Sequence, residues 1–157
     1  MEYGKELAVY AAERKDVCMK NDAIPGNLYQ EYGVKRGLRD EQGRGVLAGL
    51  TNISAVISMK EVDGVRTACD GELWYRGYNV KNLVNAYGKT GHGFEITAYL
   101  LLFGELPTQE QFDEFMRMLG LARKLPVNFT RDVIMKAPSK DIMNSMTRSI
   151  LTLASFD

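Results

Sequence analysis

Histidine, cysteine and net charge are what this chain has least of. It carries one histidine, two cysteines and one tryptophan in 157 residues. A structural zinc site takes a full set of Cys or His ligands at short paired spacings, which Cys18, Cys69 and His92 cannot supply. Two distant cysteines make no disulfide framework and read as reduced thiols of a cytoplasmic protein. Twenty basic residues balance twenty acidic ones, whereas a nucleic-acid surface needs a basic excess. No apolar run approaches the roughly 20 residues that span a bilayer. The amino-terminal stretch has no apolar core and carries Glu2, Glu6, Glu13 and Asp16, the reverse of a signal or transit peptide.

What is present is a globular composition, 45% hydrophobic, arranged mostly at helical spacing. Lys5 to about Met19 reads as a helix with a thin apolar face of Leu7, Ala11, Val17 and Cys18, a peripheral arm. Pro25-Gly26 breaks it, Asn27 opens a short helical turn, and the glycines from Gly33 to Gly49 make a loop. One β region follows. Ile53–Met59, Val65–Cys69 and Glu72–Tyr78 are short apolar runs separated by Asp63-Gly64 and Asp70-Gly71. Asp-Gly suits the positive φ of a type I′ turn, so the pattern predicts a three-stranded meander packed on helices.

After Tyr78 the chain reads helical. Asn79 caps Val80–Tyr87, with Gly88 as the stop. Phe94–Phe103 is short and apolar enough for a buried strand, but Glu95 in the first turn and Gly104 at the end favour a buried helix. Thr108 with Gln111 forms a capping box for a helix whose stripe is Phe112, Phe115, Met116 and Leu119. Asn128 caps a shorter helix to Lys136. Ser139 caps the last one, where Ile142, Met146, Ile150 and Leu153 recur at helical spacing and Met143, Leu151 and Ala154 widen the face. So wide an apolar stripe needs a partner surface, which suggests the front part of a larger protein.

No constellation of acid, base, nucleophile or metal ligand emerges, so no catalytic, cofactor-binding or metal-binding residue is assigned. His92, between Gly91 and Gly93, reads as a surface-loop residue, since its flanks supply neither an orienting partner nor a reacting group. Gly88-Lys89-Thr90 ends like a phosphate-binding loop, but that motif needs glycine where Leu83 stands. Gly43-Arg44-Gly45 with Gly49 has its third glycine one position late for a dinucleotide fingerprint. Lys35, Arg36 and Arg39 read as a solvated basic loop. The sequons at Asn52 and Asn128 mean nothing without a secretory signal. The methionines, mostly between Met116 and Met146, read as core filling.

Three stretches together resemble the amino-terminal part of a citrate synthase. They are Leu73-Trp74-Tyr75-Arg76-Gly77-Tyr78-Asn79-Val80, similar to the family's strand-to-helix junction; Phe94 through Gly104-Glu105-Leu106-Pro107-Thr108, similar to an apolar helix ending in Gly-Glu-Leu-Pro; and Met143 to Asp157, similar to the long helix that follows. The resemblance is most specific from Val46 to Asp157. Ile24-Pro25 and Val34–Arg39 resemble the extended front end of some bacterial members.

The resemblance implies a mainly α fold with a small antiparallel β-meander near residues 53–78. It implies an amino-terminal helical arm and loop over 1–45, then an incomplete large domain over 46–157. The family, which includes 2-methylcitrate synthases, condenses acetyl-CoA with oxaloacetate to give citrate and CoA. Its two catalytic histidines and aspartate lie carboxy-terminal to this segment, one histidine in a His-Gly-x-Ala-Asn-Glu motif not found here. His92 aligns with neither. This segment is then expected to be inactive alone and to bind no cofactor, with acetyl-CoA the co-substrate of the full-length enzyme. A homodimer through the helix Ser139–Phe156, contact with the rest of its own chain, and a cytoplasmic setting without nucleic acid or membrane complete the expectation. The rival reading is a stand-alone helical module of the same fold, acting in assembly or regulation without catalysis.

Overall fold

The computed structural model describes residues 2–35, 37–39, 43 and 45–156. Arg36 of the basic loop, Arg44 of the Gly43–Gly49 pattern, and Asp157 lie outside the described residues. The architecture is mainly α, with a small three-stranded antiparallel sheet. The chain divides into two compact units, Met1–Met118 and Leu119–Asp157.

The first unit begins with α1 (Glu2–Asp22) and the short α2 (Asn27–Glu31). A sheet follows, made of β1 (Ser54–Val62), β2 (Val65–Tyr75) and β3 (Tyr78–Asn79). Helices α3 (Val80–Tyr87) and α4 (Gly93–Phe103) come next, then α5 (Gln109–Ala122), within which the division between units falls. The core is aromatic and small. Tyr99 and Leu100 of α4 are fully buried, joined by Ile96, Phe103, Leu83, Phe115, Met118 and Tyr10. Ring centroids of Tyr99 and Phe103 lie 4.5 Å apart, and Phe115 meets Tyr99 edge-on at 5.4 Å. Such pairs add stabilisation beyond the area they bury.

Helix α1 contributes to this core through Tyr10, whose ring meets Phe103 edge-on at 6.3 Å. Leu7, on the face read as apolar from the sequence, is exposed instead. Arg14 reinforces the docking, donating to Glu114 of α5 at 2.8 Å. The meander holds, with one turn in a different place. Asp63 (φ 52°) and Gly64 (φ 76°) form the first turn, as the type I′ pattern requires. Asp70-Gly71 forms no turn. β2 runs straight through it to Tyr75, and the register shifts between Ile57↔Glu72 and Met59↔Ala68, so Asp70-Gly71 sits in a bulge. The second turn is Arg76-Gly77, with φ 47° and 84°, flanked by the pair Tyr75↔Tyr78.

The helix ends follow local chemistry. The Asn79 carboxamide accepts from the Lys81 amide at 2.9 Å and opens α3. Thr108 and Gln111 exchange side-chain and backbone bonds of 3.3 and 2.8 Å ahead of α5, a complete capping box. Gly104 ends α4 at φ 81°, and a Cβ there would sit 2.7 Å from Asn21 Cβ, so the same glycine also lets α1 approach. Asn27 does not cap α2. Gly26 holds that position, without a side-chain bond.

The second unit holds a π-helical turn at Thr130–Ile134, α6 (Ile142–Leu153) and a closing 3₁₀ turn, Ala154–Phe156. Asn128 does not cap a helix to Lys136. Its φ of 62° is left-handed, and the Met135 amide donates five residues back to Thr130. Asp141, not Ser139, caps α6, accepting from the Asn144 amide at 3.0 Å. Ser139 accepts from the Asp141 amide one step earlier. Phe129 is buried and meets Phe156 edge-on at 5.9 Å.

Candidate functional site

His92 lies just before α4, and its backbone amide donates to the Thr90 hydroxyl at 3.2 Å. Its ring packs edge-on against Phe112 of α5, centroids 5.5 Å apart. Both line an open groove of about 370 Å³ with Tyr87, Thr90, Ile96, Pro107, Thr108, Gln109 and Asp113. Several of the groove's polar groups are engaged locally. Thr90 bonds the Tyr87 carbonyl, Thr108 serves the capping box, and Asp113 accepts from Gln109 at 2.8 Å. The structure therefore places His92 beside an aromatic ring, in the turn before α4 and at the edge of a groove.

Of the other motifs, Gly88-Lys89-Thr90 adjoins this groove through Thr90, and the rest lie elsewhere. Lys89 is exposed beside Thr90, and Lys35 and Arg39 are exposed in the loop before β1. Arg39 donates to its own loop at the Gly43 carbonyl, 2.7 Å away. Cys18 and Cys69 are free, half-buried thiols. Among the described residues no group of three or more His, Cys, Asp or Glu side chains could hold a metal ion. On the ribbon, Lys60 donates to Glu72 at 2.6 Å and the Trp74 indole donates to it at 3.0 Å. These bonds hold the Glu72 carboxyl below its ordinary range.

Sequence reasoning passed over Arg76 as a bond-making side chain. Its side chain is 4% exposed although it leaves a hairpin turn. One terminal nitrogen donates to the Asn21 carbonyl at 3.2 Å and to Asn52 Oδ1 at 3.0 Å. The other donates to Asp22 at 2.5 Å and to the Leu101 carbonyl at 3.0 Å. Asn52 donates back to the Asn21 carbonyl at 2.6 Å, and Asn21 donates to the Phe103 carbonyl at 2.6 Å. The guanidinium thus meets the carboxy ends of α1 and α4, where unpaired carbonyls favour a cation. The signal for it was Arg at a turn position that favours Asn, Asp or Gly.

In the second unit, α6 shows a broad apolar face. Ile142, Met143, Met146, Ile150 and Leu151 are all more than half exposed. Ser145 and Ser149 lie beside it, and Ser149 donates to the Ser145 carbonyl at 2.8 Å.

A family model described as "Citrate synthase, C-terminal domain" matches residues 37–157. The chain belongs to the citrate synthase family. A protein named citrate synthase from Saccharolobus solfataricus is 32% identical over 113 residues, which cover 71% of this chain and 28% of that protein. The chain thus spans little more than a quarter of the length of that curated relative. No solved structure matches the chain. The Arg76 hairpin, α4 with its Gly104 stop, the capping box and α6 all fall inside the matched span, so these features belong to a citrate synthase framework. Among the described residues no helix is long and apolar enough to cross a membrane.

Proposed function

We propose that this chain is the amino-terminal part of a citrate synthase, or of a relative such as a 2-methylcitrate synthase. The complete enzyme condenses acetyl-CoA with oxaloacetate to give citrate and CoA. The observation that carries the reading is the match of 71% of this chain to 28% of a protein named citrate synthase. In this reading residues 1–157 supply scaffold and part of a homodimer surface, and the reacting groups come from sequence further along. Proton removal beside a thioester carbonyl needs a positioned base and donors for the enolate oxygen. His92 rests on Phe112, and its nearby carboxylate, Asp113, is bound by Gln109, an arrangement that suits a framework role.

The apolar face of α6 supports the dimer, since five large exposed side chains on one helix favour burial against another copy. A cytoplasmic setting suits the two free thiols. The test is release of CoA from acetyl-CoA with oxaloacetate, followed by a thiol reagent. The 157-residue chain is expected to show no turnover above buffer. A longer product of the same reading frame, carrying a His-Gly-x-Ala-Asn-Glu motif, is expected to turn over. Activity in the short chain would overturn the division of labour. A frame that closes without the motif would favour the stand-alone module.

A further inference from the structure

We propose that Arg76 is a latch that holds α1 onto the first unit, and that α1 with the Thr51–Ile53 segment behaves as a strap released when the latch opens. The first observation is convergence. A single buried guanidinium donates to four acceptors drawn from three separate segments: Asn21 and Asp22 at the end of α1, Asn52 before β1, and Leu101 in the last turn of α4. The second is backbone cost. Arg76 sits at φ 47°, a left-handed conformation that a side chain of this type rarely adopts. Asn or Gly would suit this turn better, so the position trades turn comfort for the guanidinium.

The third observation is how little else holds the last two turns of α1, beyond the Arg14–Glu114 bond that precedes them. Lys15, Asp16, Met19 and Lys20 are exposed, and Val17 and Cys18 are half-buried. The Cys18 thiol, a weak donor, bonds the Leu102 carbonyl at 3.6 Å. The bonds at Asn21 are the firm ones, and Arg76 and Asn52 organise them. Hydrogen bonds to a charged donor in a half-dry site are stronger than neutral ones, and leaving several carbonyls unpaired there is costly. Opening this one site therefore frees α1 from its end back to Arg14, where the bond to Glu114 takes over.

Hydrogen exchange on the full 157-residue chain, read by peptide mass spectrometry, tests the latch. Arg76→Asn keeps a residue that tolerates the turn and removes the guanidinium. Exchange in peptides covering residues 15–22 and 100–104 is expected to rise about tenfold or more, while the Tyr75–Tyr78 turn and α5 keep wild-type rates. A uniform rise across the first unit, or no rise at 15–22, would overturn the proposal. Should Arg76→Asn not fold, the pair Asp22→Asn and Asn52→Ala opens the same site from exposed acceptors. It must show the same local pattern, in smaller degree, and its silence would equally overturn the latch.

Discussion

Arg14 of α1 donates to Glu114 of α5 across 2.8 Å, joining positions 100 residues apart in the chain. The Arg14 guanidinium also lies 5.3 Å from the centre of the Tyr10 ring. The pair is half-buried, its side chains 19% and 36% exposed. A fully exposed pair contributes almost nothing, and a fully buried one loses its attraction to desolvation. This one sits between those limits. A double-mutant cycle with Arg14→Met and Glu114→Gln, followed by urea unfolding, is expected to give a coupling of about 1 kcal/mol. A coupling indistinguishable from zero would mean that Tyr10 alone anchors this part of α1.

Alkali is expected to weaken the first unit. Burial raises the Tyr10 hydroxyl above its ordinary value of 10.0, with Arg14 pulling part of the way back, and burial raises Tyr99 likewise. Both hydroxyls are buried without a partner among the described residues. The folded state therefore holds these protons more tightly than the unfolded chain does. Their stabilising share is complete below about pH 10 and is lost as pH rises through the folded-state values. Denaturant midpoints should fall above pH 10, and less so in Tyr10→Phe with Tyr99→Phe. An unchanged alkaline slope in that double variant would assign the loss to other groups.

Much of the fold was legible because it is written in local chemistry. Asn79, Gly104 and the Thr108–Gln111 box act within a few residues of themselves, and each does in the structure what its spacing predicts. The misses are positions where a distant partner decides. Asp70-Gly71 has turn chemistry, but the pairing of β2 with β1 on both sides of it converts it into a bulge. Arg76-Gly77 has weaker turn chemistry and makes the turn, because the arginine finds acceptors at residues 21, 22, 52 and 101. The apolar face that spacing suggests for α1 leaves out Tyr10, whose burial depends on Phe103. The same holds for the candidate site. His92 could be placed on a loop from its glycines, while the groove around it needed α5 to be folded back.

Gly104 offers a sharp test, since two constraints meet there. Its φ of 81° already disfavours any side chain, and a methyl group would sit 2.7 Å from Asn21 Cβ. Gly104→Ala is expected to cost more than the roughly 1 kcal/mol of an ordinary left-handed glycine, because α1 must also move. Chemical denaturation should show that loss, with faster exchange at residues 18–22. A cost below 1 kcal/mol would mean that α1 gives way freely at this point.

The two candidate caps of α6 can be separated in the same way. Asp141 accepts directly from the Asn144 amide, whereas Ser139 only orders the approach by accepting from the Asp141 amide. Asp141→Ala is expected to lower the stability of α6 by about 1 kcal/mol, with Ser139→Ala costing less. Exchange of the first-turn amides of α6 reports on both. Equal losses would move the cap back towards Ser139.

The exposed face of α6 carries the last prediction, which bears on the proposed dimer. Met146 and Ile150 lie one helical turn apart on that face, both largely open in the single chain. Replacing an exposed apolar side chain barely changes the stability of the chain that carries it. Met146→Glu with Ile150→Glu should therefore leave unfolding nearly where it was, while placing charges in any apolar interface built there. Sedimentation equilibrium is expected to show the parent associating as concentration rises and the double variant remaining monomeric. A parent that stays monomeric, or a variant that associates as well as the parent, would remove this face from the proposed homodimer. Association lost together with helical content would point instead to a role for these side chains inside the unit.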